Sequence, residues 1–176
     1  MPGVPRDGNV LRHAGAAQGR RDLQLRQLRA DPGDRLKVLR LYTDGASRGN
    51  PGHAGLGVVI EDDHGMRLRG FHRYLGRATN NEAEYHALLE GLLAVKDWNS
   101  DRLEVYLDSK LVVEQINGRY KVKAPELIPL HQRAMKLLLQ FKEHSVSHVE
   151  RDKNRGADYL ANKAIDEKIP KKKLGG

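Results

Sequence analysis

The chain's 176 residues suffice for one domain with its own hydrophobic core, and 39% hydrophobic with 31% charged residues is a soluble globular balance in which no apolar run nears the roughly 18 residues of a bilayer span. Cysteine is absent, which excludes disulfides and thiolate metal sites and fits a reducing, cytoplasmic setting. The net charge of +8 favours polyanionic partners, but residues 1–40 hold 9 Lys/Arg against 4 Asp/Glu, so +5 of the excess lies there and basicity alone is weak ground for a nucleic-acid partner.

Residues 1–35 are rich in Gly, Arg and Ala and lack aromatic residues and apolar periodicity. They read as a disordered basic extension, with one short helical patch stopped by DPGD. No secretory apolar core is present, and Asp7, Asp22 and the scarcity of Ser argue against a targeting peptide. From Leu36 the pattern sharpens. LKVLRLYTD, LGVVIEDD and RLRGFHRYL read as three strands of an antiparallel meander, with GASRGNPGHAG a Gly-rich turn and HGM a second turn. Residues 80–97 predict a helix: Thr79 and Glu82 form a capping box, and Leu88, Leu92 and Val95 form its apolar stripe. LEVYLD is short and apolar, as a buried parallel strand is. SKLVVEQING predicts a short helix ended by Asn117-Gly118, and PELIPLHQRAMKLLLQF a helix with Pro125 near its start. SVSHVER is a fifth strand and RGADYLANKAIDEK a last helix. The order βββαβααβα implies an α/β domain over 36–168, a mixed sheet with helices on its faces, followed by a basic tail at 169–176.

Four carboxylates stand out. Asp44 ends the first strand, where Asp also suits an ordinary turn; the glycines that follow would let a ligand approach the backbone closely. Glu84 shares its helix face with Leu88 and Leu92, so it points inward, and no Lys or Arg lies one turn away on that face. An unpaired charge there costs several kcal/mol, which a metal ion would offset. Glu82 is explained by the capping box and Glu90 by solvation. Asp108 follows an apolar strand, a place where ligands gather in α/β sheets, but it also suits the N-cap of the next helix. Asp158 sits at the edge of the face made by Ala157, Leu160, Ala161 and Ala164, where a helix N-terminus alone would also favour it. Carboxylates at such positions, without Cys, suit hard divalent cations.

Together, YTDGA-x-x-GNPG, TNNEAE, the DS after an apolar strand and the final N-x-x-AD-x-LAN resemble the type 1 ribonuclease H family over about residues 38–167. The resemblance implies a ribonuclease H-like fold, with three antiparallel strands then two parallel ones in a five-stranded sheet. It implies an Mg²⁺-dependent endonuclease that hydrolyses the RNA strand of RNA–DNA hybrids to 5′-phosphate and 3′-hydroxyl ends, as in removal of RNA primers. The expected partner is a hybrid duplex, with no membrane and a monomeric chain. Two Mg²⁺ ions, with Mn²⁺ the alternative, are implied: Asp44 bridging, Glu84 and Asp108 holding one and Asp158 the other. Asn50, Asn80 and Asn81 match minor-groove contacts, Arg77 and Thr79 a DNA-phosphate pocket, and Asn154 a position that orients the site. The chain departs from the family in three places. Arg151, rather than a loop His, is placed to approach the metals, His148 belonging to the preceding strand. Ala124 stands where the pocket usually has Asn. GRYKVKAP replaces a basic, Trp-rich handle, so fewer phosphate contacts are expected unless Lys121, Lys123 or the N-terminal segment supplies them. Two rivals are another nuclease of the same fold and a non-catalytic hybrid-binding module.

Overall fold

The structure, a computed structural model, describes residues 36–169. The extension expected at 1–35 and, apart from Ile169, the expected basic tail lie outside the described residues. In chain order the elements are β1 (Leu36–Gly49), β2 (Gly52–Glu61), β3 (Arg67–Ala78), α1 (Asn80–Val95), β4 (Ser100–Leu107), α2 (Lys110–Ile116), α3 (Ile128–Leu138), β5 (His144–His148), a 3₁₀ turn (Arg151–Lys153) and α4 (Arg155–Lys168). The strands form one sheet in the order β3-β2-β1-β4-β5. The first three are antiparallel, and β4 and β5 run parallel to β1. No helix among the described residues is long and apolar enough to cross a membrane.

Alternation along β1 decides what each face of the sheet holds. Leu39, Leu41 and Thr43 are fully buried and join Leu56, Val58 and Ile60 of β2 under α1, which adds Leu88, Leu92 and Val95. The capping box at Thr79 is present in full: the hydroxyl accepts from Glu82 N at 3.2 Å, and Glu82 Oε2 accepts from Thr79 N at 2.8 Å. Glu90, expected to be solvated, keeps solvent contact and also pairs with Arg73 of β3 at 2.6 Å.

On the opposite face Gly55 and Gly57 of β2 let α4 lie close against the sheet. A Cβ on Gly57 would fall 2.1 Å from Ala157 O, and one on Gly55 would fall 2.6 Å from Ala161 O. This explains where the sequence reading of residues 45–55 misses. The segment is no wide turn: β1 runs on to Gly49, β2 starts at Gly52, and Asn50-Pro51 alone turns the chain. Gly45 and Gly55 are needed there because helices press on the strands, and Gly49 and Gly52 because the hairpin turns tightly, Gly49 at φ +97° and Gly52 against Arg48 O. Smaller differences have local causes. α3 begins at Ile128 with Pro129, not Pro125, in its first turn. β5 ends at His148, because Glu150–Asn154 closes a 3₁₀ turn with Lys153 N donating to Glu150 O at 2.9 Å.

Candidate active site

β1 and β4 run parallel in register, Thr43 beside Leu107, so Asp44, which lies within β1 rather than at its end, comes beside Asp108 just past β4. Ser109 takes the N-cap of α2, its hydroxyl accepting from Val112 N, so Asp108 is not spent on capping. Glu84 is brought over them by the closest helix–strand approach in the site. A Cβ on Gly45 would meet Ala83 C and Glu84 N at 2.2 Å, so only glycine lets α1 lie this near β1. The result is a cluster in which Asp44, Glu84 and Asp108 each offer an oxygen within 4.8 Å of the other two.

Two of the three carboxylates are buried, Asp44 at 4% exposure and Glu84 at 7%. Burial, followed by the charge of Asp108, pushes the Asp44 carboxyl up to about 8. Burial, then the charges of Asp44 and Asp108, raises Glu84 well above the ordinary carboxylate range. Glu84 Oε2 is buried without a hydrogen-bond partner. Such a group costs several kcal/mol unless something cationic meets it. Hard oxygen donors at this spacing, one of them orphaned, fit a divalent cation.

Asp158, in the first turn of α4, lines the same cleft of about 500 Å³ but stands outside the tight trio. It has its own cation: Arg151 Nη2 donates to its Oδ1 at 3.0 Å, and this bond holds the guanidinium above its ordinary pKa. Arg151 itself is exposed at the rim. His148, the last residue of β5, also lines the cleft, and its Nε2 donates to the Asp108 carbonyl at 3.2 Å.

The residues expected to meet substrate take different positions. Asn80 lines the cleft, and its N–H donates to Asn50 Oδ1 at 3.1 Å, joining the β1–β2 hairpin tip to the start of α1. Asn81 is half-buried in the next position. Arg77 is exposed near the end of β3. The Thr79 hydroxyl already donates to Glu82 Oε2 at 2.9 Å. Asn154 is 1% exposed and sits behind the cleft, donating to Thr43 O at 3.0 Å and so holding α4 to β1. Three lining residues escaped the sequence reading: Ser47, Glu150 and Asn162. Asn162 donates to Asp158 O at 3.0 Å and to its Oδ1 at 3.3 Å, a link that its position four residues after Asp158 could have signalled.

The sheet order and helix placement define a ribonuclease H-like fold. The Reverse transcriptase-like family matches residues 42–164. Ribonuclease HI of Halobacterium salinarum is 44% identical over 135 residues, covering 76% of this chain and 67% of that protein. The bifunctional protein Rv2228c of Mycobacterium tuberculosis is 47% identical over 132 residues, and the aligned part covers 74% of this chain but only 36% of that protein's length. Among solved structures, LC11-RNase H1 in complex with an RNA/DNA hybrid superposes with a TM-score of 0.71 at 39% identity, covering 74% of this chain and 99% of that one. The chain belongs to the type 1 ribonuclease H family.

Proposed function

We propose that this chain is an endonuclease that cleaves the RNA strand of RNA–DNA hybrids at the carboxylate cleft, leaving 5′-phosphate and 3′-hydroxyl ends. The observation that carries the reading is the tight cluster of Asp44, Glu84 and Asp108, with the Glu84 Oε2 buried and unpartnered and Asp158 across the same cleft. The relatives named ribonuclease HI and the similar structure holding a hybrid support the substrate. Two Mg²⁺ ions, when bound, supply an activated water and neutralise the leaving oxygen. Asp44 stands between the two halves of the site, with Glu84 and Asp108 serving one ion and Asp158 the other.

The surrounding side chains orient and exchange. Arg151 holds the Asp158 carboxylate and offers a guanidinium at the rim to the departing phosphate. Asn50, Asn80 and Asn81 present amides to the minor groove, where a 2′-hydroxyl distinguishes RNA from DNA. Arg77 is the donor for the DNA phosphate, because the Thr79 hydroxyl proton is committed to Glu82. Asn154 keeps the two metal-holding elements in register from behind. Val122 and Ala124 pack on the core and leave Lys121 and Lys123 outward, so these lysines add phosphate contacts. A monomer removing RNA primers in the cytoplasm fits this chemistry.

Matched RNA–DNA, RNA–RNA and DNA–DNA duplexes test the reading. Cleavage confined to the hybrid's RNA strand and dependent on Mg²⁺ is expected. Cutting of DNA–DNA, or tight hybrid binding without turnover at millimolar Mg²⁺, would contradict it.

A further inference from the structure

Tyr85 has the largest of the fully buried side chains among the described residues, and it follows Glu84 directly. Its phenol donates to Gln115 Oε1 at 2.8 Å, and Gln115 is itself 5% exposed. This is the side-chain hydrogen bond that joins α1 to α2 among the described residues. A third helix completes the arrangement. His131 of α3 donates from Nε2 to the Gln115 carbonyl at 3.1 Å, and its ring meets the Tyr85 ring edge-on, with centroids 6.4 Å apart. Phenylalanine against an apolar residue would fill the same space without burying polar groups. What the polar pair adds is direction: a hydrogen bond fixes the rotation of a helix where apolar packing tolerates slippage.

Rotation of α1 matters because Glu84 rides on it. About 10° of rotation carries an atom roughly 5–6 Å from the helix axis through about 1 Å. A metal site tolerates about half of that displacement. Gly45 fixes α1 on its sheet side, where Ala83 and Glu84 backbone atoms leave no room for a Cβ. The Tyr85–Gln115 bond holds the side facing α2.

We infer that the Tyr85–Gln115 pair is a positioning tie that locks α1 in the rotation at which Glu84 completes the cation site. The inference rests on the metal-site reading above. Its test is Mg²⁺ titration of the substrate-free protein, followed by the backbone amide shifts of Asp44, Gly45 and Glu84. Tyr85→Phe keeps the ring volume, and Gln115→Met carries the test on its own should the first variant fail to fold. Each is expected to weaken Mg²⁺ binding about tenfold, the lower end of the effect of residues that orient metal ligands. The double variant should be no weaker than either single one. Turnover at saturating Mg²⁺ should stay within about twofold of wild type, because the ligands themselves are intact. Val95→Ala, at the far end of the same helix, should lower stability without moving the titration. Both variants binding Mg²⁺ as wild type does, while only their melting temperatures fall, would overturn the tie. A wild-type protein whose amides ignore Mg²⁺ would instead overturn the metal site beneath it.

Discussion

The two sides of the cleft are built on opposite electrostatic plans. On one side Asp44 and Glu84 are buried and crowd Asp108, and Arg151 acts on Asp44 and Asp108 only through its charge, its hydrogen bond going to Asp158. On the other, Asp158 is partly exposed and carries Arg151 at 3.0 Å. On the first side burial and mutual repulsion resist ionisation of the carboxyls, a cost that a bound cation would offset. The second is already balanced and must exchange one cation for another, or share its carboxylate. On the proposed metal reading, affinity for a divalent ion would be concentrated in the trio, and Asp158 with Arg151 would govern a weaker, more exchangeable position.

Substitutions should separate the two plans. Asp44→Asn, which removes the carboxylate proposed to serve both halves, should lower hybrid cleavage by about 10³-fold or more with the fold intact, because metal ions supply several kcal/mol of transition-state stabilisation. Near wild-type cleavage by this variant in a gel-based assay would dissolve the comparison. Gly45→Ala should act on the trio alone. The new methyl must push α1 off β1, at about 1–3 kcal/mol of stability and about 100-fold in activity, since a displacement near 1 Å is that costly. Melting curves and initial rates measure both. Arg151→Gln should do least: roughly tenfold in rate, the scale of one charge-assisted contact of about 1.4 kcal/mol, with little change in melting temperature because the pair is solvated. A loss matching that of Asp44→Asn would mean that the two sides are not distinct.

How far the sequence could be read differs along the same line. The trio was legible because each member has a local signature: a carboxylate directly after an apolar stretch for Asp44 and Asp108, although β1 in fact runs on past Asp44 to Gly49, and a charge on an apolar helix stripe for Glu84. The capping box and the bounds of α4 at 155–168 were legible for the same reason, since short-range chemistry sets them. What escaped depends on distant neighbours. Glycines 45, 55 and 57 signal a loop locally, yet they serve helices that arrive from elsewhere in the chain. Glu90 reads as solvated, and only β3 brings Arg73 beside it as a partner. Arg151 was expected to approach the site, but the 3₁₀ turn that carries it and its bond to Asp158, seven residues on, follow from no spacing rule.

The central claim, that the buried carboxylates wait for a cation, is tested most directly by thermal denaturation across pH 5 to 8.5 with and without Mg²⁺. An ordinary Asp carboxyl titrates at 3.8, but Asp44 is pushed up to about 8 in the folded chain and Glu84 is also raised. Folding therefore takes up protons between those values. Without metal, stability is fully present below the unfolded pKa and is lost as pH rises through the folded one. Mg²⁺ should reverse that loss most strongly near pH 8, where the carboxylates are free to bind it. Asp44→Asn should flatten the slope and abolish the Mg²⁺ response. A metal-free protein whose stability rises over this range, or an Mg²⁺ response that survives in Asp44→Asn, would contradict the account.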